Sequence, residues 1–395
     1  MRILAGLITV GALLLVWLVD SGYQHISFVR DLGMEAYVKQ GTASSTPSAH
    51  GATNTSPIVE EAHALEVTHV QTPEHVKAIY MSSWVAGTPS FRDKLVKLID
   101  DTELNAVVID VKDNTGVITW DERMRDLPEF LDELHKKNIY VIARISAFQD
   151  PAYVKAYPEL AVTNVNTGGI WKDRKDMPWV DTGSRQMWEY LASIGKDAYA
   201  RGFDELNYDY IRFPTDGDLQ AMRFPISGEK GLTSKPEIVG NFYKFLHETF
   251  SPLDIPISGD LFGIINVNQV ETKTLGQDLH VALQYFDYVA PMVYPSHFYA
   301  GTAGYQNPAA HPGEIITYSM KGAIKIAEET ASSTGVAPST LIKKLRPWYQ
   351  DFDMGAVYTK EMVRAQIEAG YALDIDSWML WDPANKYTPS ALTSE

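Results

Sequence analysis

The chain contains no cysteine, which excludes disulfides, thiolate metal sites and cysteine nucleophiles together. It has no surplus of basic charge either. Lys and Arg number 34 against 50 Asp and Glu, for a formal net charge of -16. Phosphate binding needs a basic surface, so nucleic acid is not expected as a partner. No glycine-rich phosphate loop follows any early apolar run, which argues against a dinucleotide-binding, doubly wound sheet. No Gly-x-Ser-x-Gly elbow marks a serine hydrolase. No His-x-x-x-His pair or calcium-loop pattern points to a metal, so neither metal nor cofactor is expected.

Long apolar runs are also scarce, with one exception. Arg2 precedes the stretch Ile3–Val19, which ends at Asp20. It is about long enough to cross a bilayer, and Val19-Asp20-Ser21-Gly22 makes a poor cleavage site. Positive charge on its N-terminal side predicts a single-pass signal anchor with the rest of the chain outside the cytoplasm. A cleaved signal peptide and a secreted protein are the alternative. Residues 41–57 are small and polar with no apolar period, the composition of a flexible tether. The expected organisation is a membrane or signal segment over 1–20, a stalk and linker over 21–75, and one folded domain over 76–390.

Within that domain, β-rich apolar runs alternate with helical patterns, which implies a parallel sheet. The expected strands are Val76–Trp84, Ala106–Lys112, Tyr140–Phe148, Phe203–Phe213, Ile257–Phe262, Tyr288–Tyr294, Leu345–Gln350 and Ser377–Trp381. Expected helices are Arg92–Asp101, Glu129–Lys137, Arg185–Ala200, Pro236–Thr249, Leu275–Tyr285, Ile315–Ser332 and Lys360–Ala369, with Gly202 and Gly370 ending two of them. Eight strands with intervening helices give the count of a (β/α)8 TIM barrel, an α/β fold. Long connections follow strands three, four and six, at Gln149–Gly183, Pro214–Lys235 and Pro295–Glu314. All three follow strand C-termini and should wall one cleft.

The fourth run, Phe203–Pro214, carries acidic residues through an apolar strand. Burying an ionised carboxylate is costly unless a partner or a function offsets it. Alternation puts Glu205, Asn207 and Asp209 on one face and Leu206, Tyr208 and Tyr210 on the other. A polar inward face near a strand's C-terminal end suits a barrel enzyme, whose chemistry sits on that rim. A solvated edge strand with a structural Asp–Arg pair is the plainer reading. Asp209 and Asp260, on adjacent strands, are the two candidate catalytic carboxylates. Two carboxyls across a cleft are the apparatus of glycoside hydrolysis, one ionised and one kept protonated by burial or by its neighbour's charge. Arg212 or Arg144 is placed to hold Asp209 ionised, and Phe262 to desolvate Asp260. Adjacent strands should hold the pair roughly 5–6 Å apart, as in a retaining enzyme. Asp110, Arg144, Arg212, Tyr294, His297, Trp348, Gln350, Trp381 and Asp382 complete the candidate substrate-binding set. Trp84, Trp171, Trp179, Trp348, Trp378, Trp381, Tyr294, Tyr299 and Tyr305 fall at strand ends or in loops, where aromatic faces could stack on sugar rings.

These motifs also resemble a known family. FDELNYDYIRFP over Phe203–Pro214, Lys77-Ala-Ile-Tyr-Met-Ser, Ile142-Ala-Arg-Ile, Ser258-Gly-Asp-Leu-Phe-Gly and Pro291-Met-Val-Tyr-Pro-Ser-His carry the likeness, with Arg346-Pro-Trp-Tyr-Gln-Asp-Phe and Trp378-Met-Leu-Trp-Asp-Pro. They look like the bacterial glycoside hydrolase family that carries the domain of unknown function numbered 4015. The resemblance spans about residues 76 to 390 and implies a barrel akin to the α-amylase and α-galactosidase groups. There the nucleophile ends strand four, where Asp209 stands. The acid on strand five follows the α-amylase pattern, with Asp260 in place of the usual glutamate. The expected function is hydrolysis of a cell-surface or environmental polysaccharide. A carbohydrate-binding pseudoenzyme and an envelope scaffold whose rim binds a protein are the alternatives.

Overall fold

The computed structural model describes residues 67–394 apart from 121 and 229–233. The expected anchor and the linker at 41–57 lie outside the described residues. Among the described residues, no helix is long and apolar enough to cross a membrane.

Eight parallel strands close into a barrel: β1 (Lys77–Met81), β2 (Ala106–Lys112), β3 (Tyr140–Ser146), β4 (Glu205–Asp209), β5 (Ile257–Phe262), β6 (Tyr288–Met292), β7 (Trp348–Gln350) and β8 (Trp378–Trp381). Each pairs with its neighbours in sequence, and β1 meets β8 to complete the ring. The outer layer comprises α1 (Pro89–Asp100), α2 (Leu127–Lys136), α3 (Arg185–Ala200), α4 (Lys235–Phe250), α5 (Leu279–Tyr285), α6 (Pro312–Thr334) and α7 (Lys360–Tyr371). Every residue of β2 and β3 is buried, as expected for strands covered on one side by helices and on the other by the barrel interior. The (β/α)8 expectation and all eight strands are therefore met.

Alternation sorts the side chains of each strand. Leu206 and Tyr208 join the large apolar layer between strands and helices, with Val107, Ile109, Val141 and Phe242. Ala78, Val108, Ile142 and Ala290 point into a smaller interior cluster. Below the rim, that interior is charged. Glu205 accepts both oxygens' worth of hydrogen bonds from Arg346 Nη1, at 2.9 and 3.0 Å. Ser258 Oγ and Tyr140 Oη also donate to it, at 2.6 and 3.1 Å, and Arg346 lies over the Tyr288 ring at 3.9 Å. The β1–β8 seam is reinforced from outside by Glu103, which accepts from Lys77 Nζ, Arg364 Nη1, Tyr371 Oη and the Thr393 N–H.

Several boundaries differ from expectation for local reasons. β4 stops at Asp209 because Tyr210 adopts a left-handed conformation, φ 54°, which ends a strand and is rare for a bulky residue. The expected helix Leu275–Tyr285 begins only at Leu279, as α5, and a separate helix ends at Leu275. Gln269–Leu275 ends at Gly276, whose φ of 80° breaks it, and Asp278 caps α5 through the His280 N–H at 2.9 Å. Gly370 lies within α7 rather than ending it. A Cβ there would sit 2.2 Å from Tyr349 Oη, so its role is close helix–strand approach.

The long loops after β3 and β4 stand together above the strand C-termini. Thr163–Asn164 from the β3 loop pairs antiparallel with Met222–Arg223 from the β4 loop. Beside this ribbon, Asp181 accepts the N–H groups of Ile226 and Ser227, at 2.8 and 3.0 Å, and the Ser227 hydroxyl. Two separate loops thus form one wall.

Candidate active site

Arg144, an inward residue of β3, stands at the centre of the rim. Its Nη1 donates to Asp110 Oδ1 of β2 at 2.6 Å, and its Nη2 to Asp209 Oδ2 of β4. Its Nε lies 3.8 Å from Asp260 Oδ2 of β5. Strand register explains the convergence, because Asp110 pairs with Arg144 and Arg144 with Asn207 across neighbouring strands. Burial works against the guanidinium's charge, yet Asp209, Asp110 and Asp260 hold its pKa well above the ordinary value. Among the described residues, no group of His, Asp and Glu is placed to hold a metal ion.

The three carboxyls differ in their surroundings. Asp110 accepts from Tyr80 Oη at 2.5 Å as well as from Arg144. Burial raises its pKa, and Arg144 and Tyr80 pull it only part of the way back. Asp209 carries the direct ion pair with Arg144 and accepts the Tyr210 N–H at 2.6 Å. Asp260 is buried to 1% exposure, and its Oδ1 accepts from Asn207 Nδ2 at 2.9 Å and Trp348 Nε1 at 2.8 Å. Burial first and the charge of Asp209 second push its pKa up to about 8, against the pull of Arg144 and both donors. Asp260 therefore points inward rather than capping the turn that follows β5.

The remaining residues divide around this centre. Trp381 of β8 is half-buried, stacks on Tyr80 at 4.0 Å and lies 5.0 Å from the Arg144 guanidinium. Tyr294 is buried beside Phe352 and His297. Burial and then the Asp260 charge hold its hydroxyl well above its ordinary pKa. Burial lowers the pKa of His297, whose Nδ1 meets Ser296 Oγ at 3.0 Å.

Other candidates have different neighbours from those expected. Arg212 is packed among Trp179, Phe262 and Tyr210 and donates to the Phe213 carbonyl; Arg144, not Arg212, makes the hydrogen bond to Asp209. Phe262 correspondingly packs on Arg212, while Asn207 and Trp348 enclose Asp260. Gln350 spends its amide on the loops, accepting from the Ser296 N–H and donating to the Phe352 carbonyl. Asp382 accepts the Ala384 N–H at 2.5 Å within its own turn. Trp171, Trp179, Trp348 and Trp378 are fully buried, so they pack or donate hydrogen bonds rather than offer faces to a ligand. Trp84 and Tyr299 are open, at 58% and 60% exposure. Sequence reasoning assigned no site role to Tyr80 or Asn207. Their inward register on β1 and β4 was the available signal.

A family model described as a putative glycosyl hydrolase domain matches residues 78–387. Among solved structures, a hypothetical protein from Ruminiclostridium thermocellum is 34% identical, with a TM-score of 0.42, over 47% of this chain and 99% of its own. The PgaB (BpsB) glycoside hydrolase domain from Bordetella bronchiseptica superposes with a TM-score of 0.53 at 13% identity, covering 78% of this chain and 94% of that one. An α-galactosidase from Thermus thermophilus gives a TM-score of 0.47 at 12% identity, over 82% of this chain and 61% of its own. At 13% identity the likeness to the PgaB domain is one of fold. No curated protein matches the chain.

Proposed function

Since the chain belongs to the putative glycosyl hydrolase domain family, we propose that it is a glycoside hydrolase acting on a cell-surface or environmental polysaccharide through two carboxyl groups. The observation that carries this reading is the unequal environment of Asp209 and Asp260 around one guanidinium. Asp209 is ion-paired to Arg144, whereas Asp260 is buried, bound by two neutral donors and raised to about 8. Two carboxyls whose environments push them apart are how one site supplies both a base and an acid at neutral pH.

In the proposed reaction, Asp209 attacks the anomeric carbon as the glycosidic bond breaks, and Asp260 gives its proton to the departing oxygen. Asp260, now ionised, takes a proton from water, whose oxygen displaces Asp209 and restores both groups. One guanidinium, bound to Asp209 and 3.8 Å from Asp260, keeps their nearest oxygens within roughly 9 Å, inside the range over which two carboxyls flank one glycosidic bond. The retaining course takes the short end of that range, and a water admitted between them would give inversion. Trp381, half-buried against Tyr80, offers an aromatic face to a pyranose ring, with Asp110 and Tyr294 beside it for hydroxyls. Ile3–Val19 would hold the barrel at the outer face of the cell membrane through the polar linker.

One observation favours a second reading, a carbohydrate-binding pseudoenzyme. Asp209, Asp260 and Asp110 are all less than a tenth exposed and already engaged by protein groups. Release of reducing ends from a panel of polysaccharides by the full chain, with Asp209→Asn as control, separates the two. Turnover by the native chain alone supports the hydrolase. Glycan binding by both proteins without turnover supports the binding module.

A further inference from the structure

The two oxygens of Asp260 are not equivalent. Oδ1 accepts two N–H groups, from Asn207 Nδ2 at 2.9 Å and Trp348 Nε1 at 2.8 Å. An sp² oxygen offers two lone pairs, so a carboxyl oxygen that already accepts twice has no place for a proton. Both donors are themselves fixed. Asn207 also donates to Ser258 Oγ at 3.1 Å. Trp348 is fully buried on β7, edge-on to Trp381 at 5.5 Å. Oδ2 faces Arg144 Nε at 3.8 Å, too far for a hydrogen bond.

We propose that Asn207 and Trp348 are positioning residues that confine the acidic proton of Asp260 to Oδ2, the oxygen that faces Arg144. The proposal rests on reading Asp260 as the acid and deepens it, because it names the atom that protonates the leaving oxygen. It also gives Trp348 a role other than sugar stacking. Its indole holds the carboxyl plane so that one oxygen is anchored while the other delivers. Both donors favour the ionised form, so they also keep Asp260 from becoming too weak an acid in its buried setting. The charged and titratable groups that face Asp260 are Asp209 on β4, Arg144 on β3 and Tyr294 after β6. Asp110 acts on it through their shared guanidinium.

The test needs no substrate, so its failure is separable from failure of the hydrolase reading. The full chain is labelled with ¹⁵N-tryptophan, and the Trp348 indole resonance is assigned by its loss in Trp348→Phe. That resonance should titrate once between about pH 6 and pH 10 and lose the transition in Asp260→Asn. In Asn207→Ala the midpoint should move upward by about half a unit or more, because one donor to the ionised form is gone. Circular dichroism and the other eight indole resonances report whether each variant is folded. An indole that does not titrate, or one that still titrates in Asp260→Asn, would overturn the proposal. So would an unchanged midpoint in a folded Asn207→Ala.

Discussion

Arg346 Nη1 bridges both carboxylate oxygens of Glu205 inside the barrel, joining β4 to the stretch just ahead of β7 across 141 positions of sequence. Both side chains are essentially removed from solvent. Charges in such a place are tolerated because each has a partner, and Ser258 and Tyr140 satisfy the carboxylate further. Breaking a buried pair from one side is far costlier than removing it whole, because it leaves an uncompensated charge. Glu205→Ala should therefore destabilise the fold by about 3–5 kcal/mol, while Glu205→Ala combined with Arg346→Met should recover part of the loss. Denaturant midpoints of the three proteins check this. Equal midpoints for the native chain and Glu205→Ala would mean that the pair contributes nothing.

Asp209→Asn should abolish hydrolysis while the protein stays folded. Arg144 keeps its bond to Asp110 in this variant, so the rim retains its central contact. Turnover and thermal unfolding are measured on the same preparation. Retention of more than about a tenth of the native rate would mean that the nucleophile lies elsewhere, since losing a catalytic carboxylate costs far more.

The elevated Asp260 should set an alkaline limit on the proposed activity. Its folded value of about 8 exceeds the ordinary 3.8, so the native state holds a proton there that the unfolded chain releases. This group's contribution to stability is fully present below about pH 4 and is lost progressively as pH rises toward about 8. Activity should fall above about pH 8, where the acid is spent. Asp260→Asn should flatten the decline of stability between those limits. An unchanged slope in that variant would show that Asp260 is ionised in the native protein at neutral pH.

The proposed anchor at Ile3–Val19 yields a prediction of its own. Protein made in its native host should keep Met1 or Arg2 and sediment with membranes, whereas a chain lacking residues 1–60 should remain in the soluble fraction. N-terminal sequencing decides it, and a mature terminus near residue 20 or beyond would indicate secretion instead.

Much of this was legible in the sequence because periodicity reports faces directly. Alternation in β4 placed Glu205, Asn207 and Asp209 inward, and counting strand-end polar residues brought Asp110, Arg144, Asp209 and Asp260 to one rim. What periodicity cannot report is the partner across the barrel. Trp348 reads equally as core, sugar platform or hydrogen-bond donor until Asp260 is seen opposite it. Arg212 and Arg144 were indistinguishable as partners of Asp209 for the same reason. The aromatics were misread where composition stood in for geometry: Trp171 and Trp179 lie in a loop by sequence yet are fully buried. Tyr210 was missed because a left-handed tyrosine runs against what residue type predicts.

The ribbon between Thr163–Asn164 and Met222–Arg223, with Asp181 beside it, bears on how this barrel could be re-engineered. A loop exchanged alone would leave an unpaired strand edge and a buried carboxylate stripped of its backbone donors. Grafting experiments should therefore move the two segments as a cassette.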